Sequence, residues 1–272
     1  MPTGVEANRA RKARLSSPLT MAGGDVLTLD SVRFAELVAP AISRVFVTGM
    51  RAAAAADHDR SLVGPYGGPE VVECVIDLRN PLAAARSITA AGLRDHYRYT
   101  DPADIESTID RSVVGGLLQR DADGTIEATG TGQQFLADLF AHHADVLTER
   151  WNPAVIKRLN PLLARVLRAA DATGGGAWSV HSPPHEPAGK PSAVVLLDRL
   201  STMRYHRADA HAAAWLHAGW TAADVAAMPW GTVWSEERRQ IERDTNRRAA
   251  SPYNALTGDE RLSFLADLAA IG

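Results

Sequence analysis

The sequence predicts a mainly α-helical protein with short β-wings, built from two helical modules in tandem. Apolar residues make up 46% of the 272 residues, alanine recurs wherever the spacing is helical, and β-branched residues rarely form long alternating runs. A stretch in the first half also reads as helix, turn, helix, hairpin, helix, and helical patterns return after residue 194. A chain of this length buries an ample core without disulfides, and its single Cys74 cannot form an intrachain bridge, so the chain reads as reduced and cytoplasmic. No uninterrupted apolar run approaches the roughly eighteen residues of a membrane span, and none is expected. The formal charge of -3 gives no global positive field for nucleic acid.

Residues 1–30 carry Arg9, Arg11, Lys12 and Arg14 with no apolar stretch behind them, the pattern of a disordered leader. Over 31–172 an N-terminal helical domain is expected. Phe34, Leu37, Val38, Ala41, Ile42 and Val45 recur at helical spacing, with Pro40 kinking or dividing the run. Glu70 to Leu78 is short and apolar, and periodicity alone does not decide between strand and helix. Pro102 opens a short helix, Asp110 caps a second, and Asp123-Gly124 turns a hairpin with alternating flanks. A long amphipathic helix from about Gln133 to Leu147 closes the unit at 101–147, whose order is that of a winged helix. Between Asp101 and Thr129 seven acidic residues face only Arg111 and Arg120. A duplex reader draws much of its affinity from phosphate neutralisation, so this unit is expected to be a scaffold or dimerisation module rather than a DNA contact. Winged-helix units commonly pair through flanking helices, which makes a homodimer an expected assembly.

Trp151 to Ala170 forms a broad-faced helix bent at Pro161. The Gly- and Pro-rich segment Asp171 to Pro191 is read as a boundary or long loop, and 192–272 as a second helical, winged-helix-like domain. Within it, Val194 to Trp215 forms one helix or two joined near Ser201. The spacing of Thr221 and Asp224 is that of a capping box, and further helices start at Ser235 and Thr257.

The chemistry-bearing cluster lies at Arg204-Tyr-His-Arg-Ala-Asp-Ala-His211. Arg204, Arg207 and His211 fall within roughly 60° on one helix face with Trp215 continuing the stripe, while His206 and Asp209 share an adjacent face. Two guanidiniums on a buried face need a counter-anion, from protein carboxylates or from a ligand. Four tryptophans, Trp215, Trp220, Trp230 and Trp234, follow closely and offer aromatic walls. Arg204, His206, Arg207, Trp215, Trp234 and Asn246 are therefore the expected ligand contacts. His211 is expected as an anion donor or acid/base, and Asp209 as its orienting carboxylate. No nucleotide loop, nucleophile elbow or metal motif is present, and neither cofactor nor metal is expected. His181 and His185 read as an ordinary proline-stiffened loop.

Arg204, His206, Arg207, Asp209 and His211, the alanine-rich helix and Gly219 behind them, and Thr245-Asn-Arg-Arg248 with Pro252-Tyr253 resemble the C-terminal portion of the SalK-type, winged-helix-like family widespread in actinomycetes. The resemblance covers roughly Val194 to Ala270. It implies tandem helix-turn-helix modules and a setting in secondary metabolism, and carries no reaction. The resulting expectation is a small-molecule binding protein whose ligand is an anionic or aromatic metabolite. A cofactor-free enzyme using the same pocket and a DNA-binding transcriptional regulator are the alternatives.

Overall fold

The computed structural model describes residues 29–58, 61–228 and 235–271. The leader expected over 1–30 falls almost wholly outside these residues, as do Trp230 and Trp234. The described chain is mainly α-helical with one small two-stranded antiparallel sheet.

Helix α1 (Ser31–Ala56) starts where the Asp30 carboxylate accepts the Val32 and Arg33 N–H groups at 2.9 and 2.8 Å. It runs unbroken through Pro40, because a proline removes one backbone bond and packing on both sides holds the turn. By length and composition alone α1 is apolar enough to cross a membrane, with a mean hydropathy of 1.2. Alanines and interspersed polar residues hide this from a search for uninterrupted apolar runs. Its stripe of Phe34, Val38, Ile42 and Val45 is buried, with the Phe34 ring edge-on to Tyr253 and Phe264.

The region undecided between strand and helix is helix α2 (Pro69–Asp77), followed by α3 (Arg79–Ala83). Gly68 at φ +89 and Pro69 at the first helical position start it there. Thr89 caps α4 (Ala90–His96) and Asp101 caps α5 (Pro102–Val114). The second helix expected from Asp110 does not exist: Asp110 lies inside α5, where no Gly or Pro interrupts the turns, and its carboxylate reaches Arg120 at 3.4 Å. Strands β1 (Leu118–Arg120) and β2 (Ile126–Ala128) pair with Gln119 opposite Glu127, and Ile88 bridges Ile126 on the other edge. Gly124 supplies the left-handed residue of the turn at φ +82.

Helices α6 (Gly130–Arg150) and α7 (Pro153–Ala170) follow, then a short α8 (Gly176–His181) inside the segment expected as a boundary. Helix α9 (Ser192–His217) is a single rod. The Thr221–Asp224 capping box forms and starts α10 (Ala222–Ala226); α11 (Glu236–Ala249), a 3₁₀ turn at Ser251–Ala255 and α12 (Gly258–Ala270) complete the chain.

Packing does not follow the division expected at 171–191. One core joins α1, α7, α9 and α12, with Phe34, Leu163, Leu197 and Phe264 all fully buried and Trp178 of α8 among them. A second core lies within residues 72–139, around Leu78, Ile109, Ile126 and Phe135. Residues 192–272 contribute helices to the first core and no strand among the described residues. No second wing occurs among the described residues of this part, whose apolar stripes have helical spacing.

Candidate anion-binding cleft

Three helices enclose a cleft of about 900 Å³. Helix α1 supplies a wall of small residues at Ala35, Ala39 and Ser43, α9 brings Arg204, Arg207 and His211, and α11 brings Arg239, Glu242, Arg243 and Asn246. The α11 residues recur at i, i+3, i+4 and i+7, one helical face turned on the face of α9. Met203 and Tyr253 supply apolar and aromatic surface.

Glu242 is the electrostatic centre of one wall. Its carboxylate lies 3.4 Å from Arg207 Nη2, 3.3 Å from His211 Nε2 and 3.6 Å from Arg238 Nε. Burial opposes its ionisation, but the hydrogen bond and charge of His211, with Arg207 and Arg238, hold the carboxyl below its ordinary value. Arg207 also donates to Asn246 Oδ1 at 2.9 Å. Arg239 and Arg243 are bound to Glu236 at 2.9 and 2.6 Å on the outer rim.

Arg204 differs from all of these. Its guanidinium lies 4.4 Å from the centroid of the Phe46 ring, which Arg79 also approaches at 5.4 Å, and it makes no hydrogen bond or ion pair with a described residue. Burial, with Arg79 nearby, draws its pKa below the usual guanidinium value. A partly desolvated cation with open donors at a cleft wall is a ready partner for a carboxylate, sulfonate or phosphate.

Arg204, Arg207, His211 and Asn246 thus meet in one cleft, whereas the other expected contacts are elsewhere. Asp209 faces α8: its carboxylate accepts the N–H groups of Gly175, Ala177 and Trp178 at 3.0, 3.2 and 2.8 Å and pairs with Arg98. It orients a helix start and does not orient His211. His206 lies on that same side, 2.9 Å from Thr173 Oγ1, with its pKa lowered by burial. Trp215 packs beneath His211 and donates its indole N–H to His211 Nε2 at 2.9 Å, so it supports the site and does not line it. Trp234 lies outside the described residues, and the aromatic surface of the cleft is Tyr253. His181 is not in a loop but at the end of α8, buried, 2.9 Å from His96 Nδ1 and stacked on Tyr205. No group of three or more His, Cys, Asp and Glu is placed to hold a metal among the described residues.

Glu242, Arg239, Arg243 and Tyr253 were not among the expected contacts. The period of the α11 residues was the available signal, but their alternating charges read equally well as a solvated face. Comparison with protein-family models, with curated proteins and with solved structures finds no match to this chain.

Proposed function

We propose that the protein binds a small anionic metabolite with an aromatic or hydrophobic body in the cleft between α1, α9 and α11. The observation that carries this reading is Arg204, a cleft-lining guanidinium that stacks on Phe46 but makes no hydrogen bond or ion pair with a described residue, beside the partnered Arg207. The cleft volume of about 900 Å³ is of the size that takes an organic molecule, and Tyr253 and Met203 offer surface for its body. Binding is favoured over catalysis because His211 Nε2 accepts the Trp215 indole N–H, so that lone pair is not open to take a proton from a nucleophile.

The scaffold is read as winged-helix-like over residues 69–128. Helices α2 and α3, the Ile88 bridge, α4, α5 and the β1–β2 hairpin come in the order of that motif. The DNA-binding alternative is disfavoured by charge: α5 exposes Asp104, Glu106 and Asp110, and the nearby bases are committed, Arg120 of β1 to Glu106 at 2.8 Å and Arg111 of α5 to Glu73 at 3.6 Å.

Native mass spectrometry of the protein after exposure to a metabolite extract, beside an Arg204→Ala/Arg207→Ala variant, tests the reading. The wild type should retain an anionic compound unchanged in mass, and the variant should lose it while remaining folded. Retention of the same compounds by both proteins, or of none by either, contradicts the proposal. Conversion of the compound to product would instead favour an enzyme. Fluorescence anisotropy with genomic DNA fragments at low salt should show no binding.

A further inference from the structure

A second cleft, remote in charge from the first, opens between α1, α2 and α6, with a volume of about 690 Å³. Its walls are largely apolar, from Met50, Leu62, Ile76 and Leu139. Its polar groups are mostly acidic. Glu70, Glu73 and Asp77 line it from α2 at i, i+3 and i+7, one face of a helix that contains no Lys or Arg. Among the described residues the one guanidinium on the lining is Arg51 of α1.

These carboxylates are poorly compensated. Glu73 meets Arg111 at 3.6 Å, and Asp77 accepts only the Tyr97 hydroxyl at 3.4 Å. Desolvation by the surrounding protein raises the Asp77 pKa, as does the neighbouring Glu73, while the charges of Arg79 and Arg204 and the Tyr97 hydrogen bond work against that rise. At the floor, His143 is 1% exposed and its Nδ1 has no hydrogen-bond partner. Burial keeps that imidazole neutral, with its pKa lowered to about 3, so it adds no positive charge to the cleft. Glu70, Glu73 and Asp77 are exposed like charges on one helix face, and their summed field beside apolar walls attracts a cation.

We propose that this cleft is a second binding site, for an organic cation with a hydrophobic body, whose charge lies against Asp77 and Glu73. The apolar walls take the body and the α2 carboxylates select the sign of its charge. The inference does not depend on the anion cleft, since the two clefts share no lining residue.

The test is fluorescence anisotropy of rhodamine 6G, a fluorescent organic cation, titrated with the full chain, with the anionic dye fluorescein as control. The wild type should saturate with rhodamine 6G, and excess fluorescein should not displace the dye. Asp77→Asn/Glu73→Gln should weaken the dye by about tenfold or more, a loss of about 1.4 kcal/mol. Ala54→Trp, which fills the mouth from an exposed position on the lining, should abolish binding, and Arg204→Ala, which removes a positive charge acting on Asp77, should not weaken it. The proposal is overturned if the wild type does not saturate, if fluorescein displaces rhodamine 6G, or if the folded double variant binds like wild type. Equal loss in Arg204→Ala would move the dye to the other cleft and overturn it as well.

Discussion

Arg204 and Asp209 stand five positions apart on α9, and the half-turn of rotation between them gives them different work. Asp209 receives three backbone N–H groups at the start of α8 and the Arg98 guanidinium. Removing it orphans all of them, and Asp209→Ala should cost about 2–4 kcal/mol in urea unfolding while ligand affinity of the folded protein stays unchanged. Arg204→Ala should do the reverse, with near-wild-type unfolding and lost affinity. Glu242→Gln leaves Arg207, His211 and Arg238 facing a neutral amide, at an expected cost of about 1–2 kcal/mol at neutral pH. The folded Glu242 pKa is below its unfolded value, so this stabilisation is present above the unfolded carboxylate pKa and lost as pH falls through the folded one. Urea unfolding of wild type and variant should therefore converge in acid. Helical offsets alone separated Arg204, Arg207 and His211 from His206 and Asp209. What they could not reveal was that α8 lies on the second face, because the Gly-rich segment before it carries no helical period.

Helix starts were the most legible features of this chain. Thr221, Ser235 and Thr257 all cap helices where their spacing indicates, since capping is a local chemistry of a side-chain oxygen and the first free N–H groups. Asp110 misled because an acidic residue before an apolar run also occurs inside a helix, where Arg120 across the hairpin satisfies it. The hairpin at Asp123-Gly124 was readable from its turn residues, whereas the bridge from Ile88 was not: a single paired residue leaves no alternating pattern. The seat of α6 under that hairpin is tight. A Cβ on Gly132 would come within 2.1 Å of the Leu117 carbonyl oxygen, a backbone atom that cannot step aside without breaking the strand. Gly132→Ala should destabilise by at least about 2 kcal/mol in thermal or urea unfolding, although alanine is the better helix former. A neutral or stabilising result would mean that the β1–α6 junction is looser than described.

A large core joins α1, α7, α9 and α12, a second lies within residues 72–139, a small third gathers Ala214, Trp215 and Ile241, and His143, His181 and His206 are buried among them. Sequence could supply the helical stripes but not which stripes meet, and so the division of the cores was not legible in it. His96 and His143 are buried with pKa values lowered to about 4 and about 3, and His181 is lowered as well, burial being the main cause in each. Each is neutral when folded but protonates near pH 6.5 when unfolded. Their contribution is complete above the unfolded value and is lost as pH falls toward the folded ones, by up to about 1.4 kcal/mol per pH unit for each histidine. Urea unfolding at successive pH values should show this acid slope, and His143→Leu should flatten it. The most direct test of the anion cleft is a fluorescence titration with 8-anilinonaphthalene-1-sulfonate, an aromatic anion whose emission rises in an apolar site. The account predicts saturable binding by the wild type that falls by about tenfold or more in Arg204→Ala and is not weakened in Asp77→Asn, which removes a negative charge acting on Arg204. Equal affinity in wild type and a folded Arg204→Ala variant, or no saturable binding to the wild type, would contradict it.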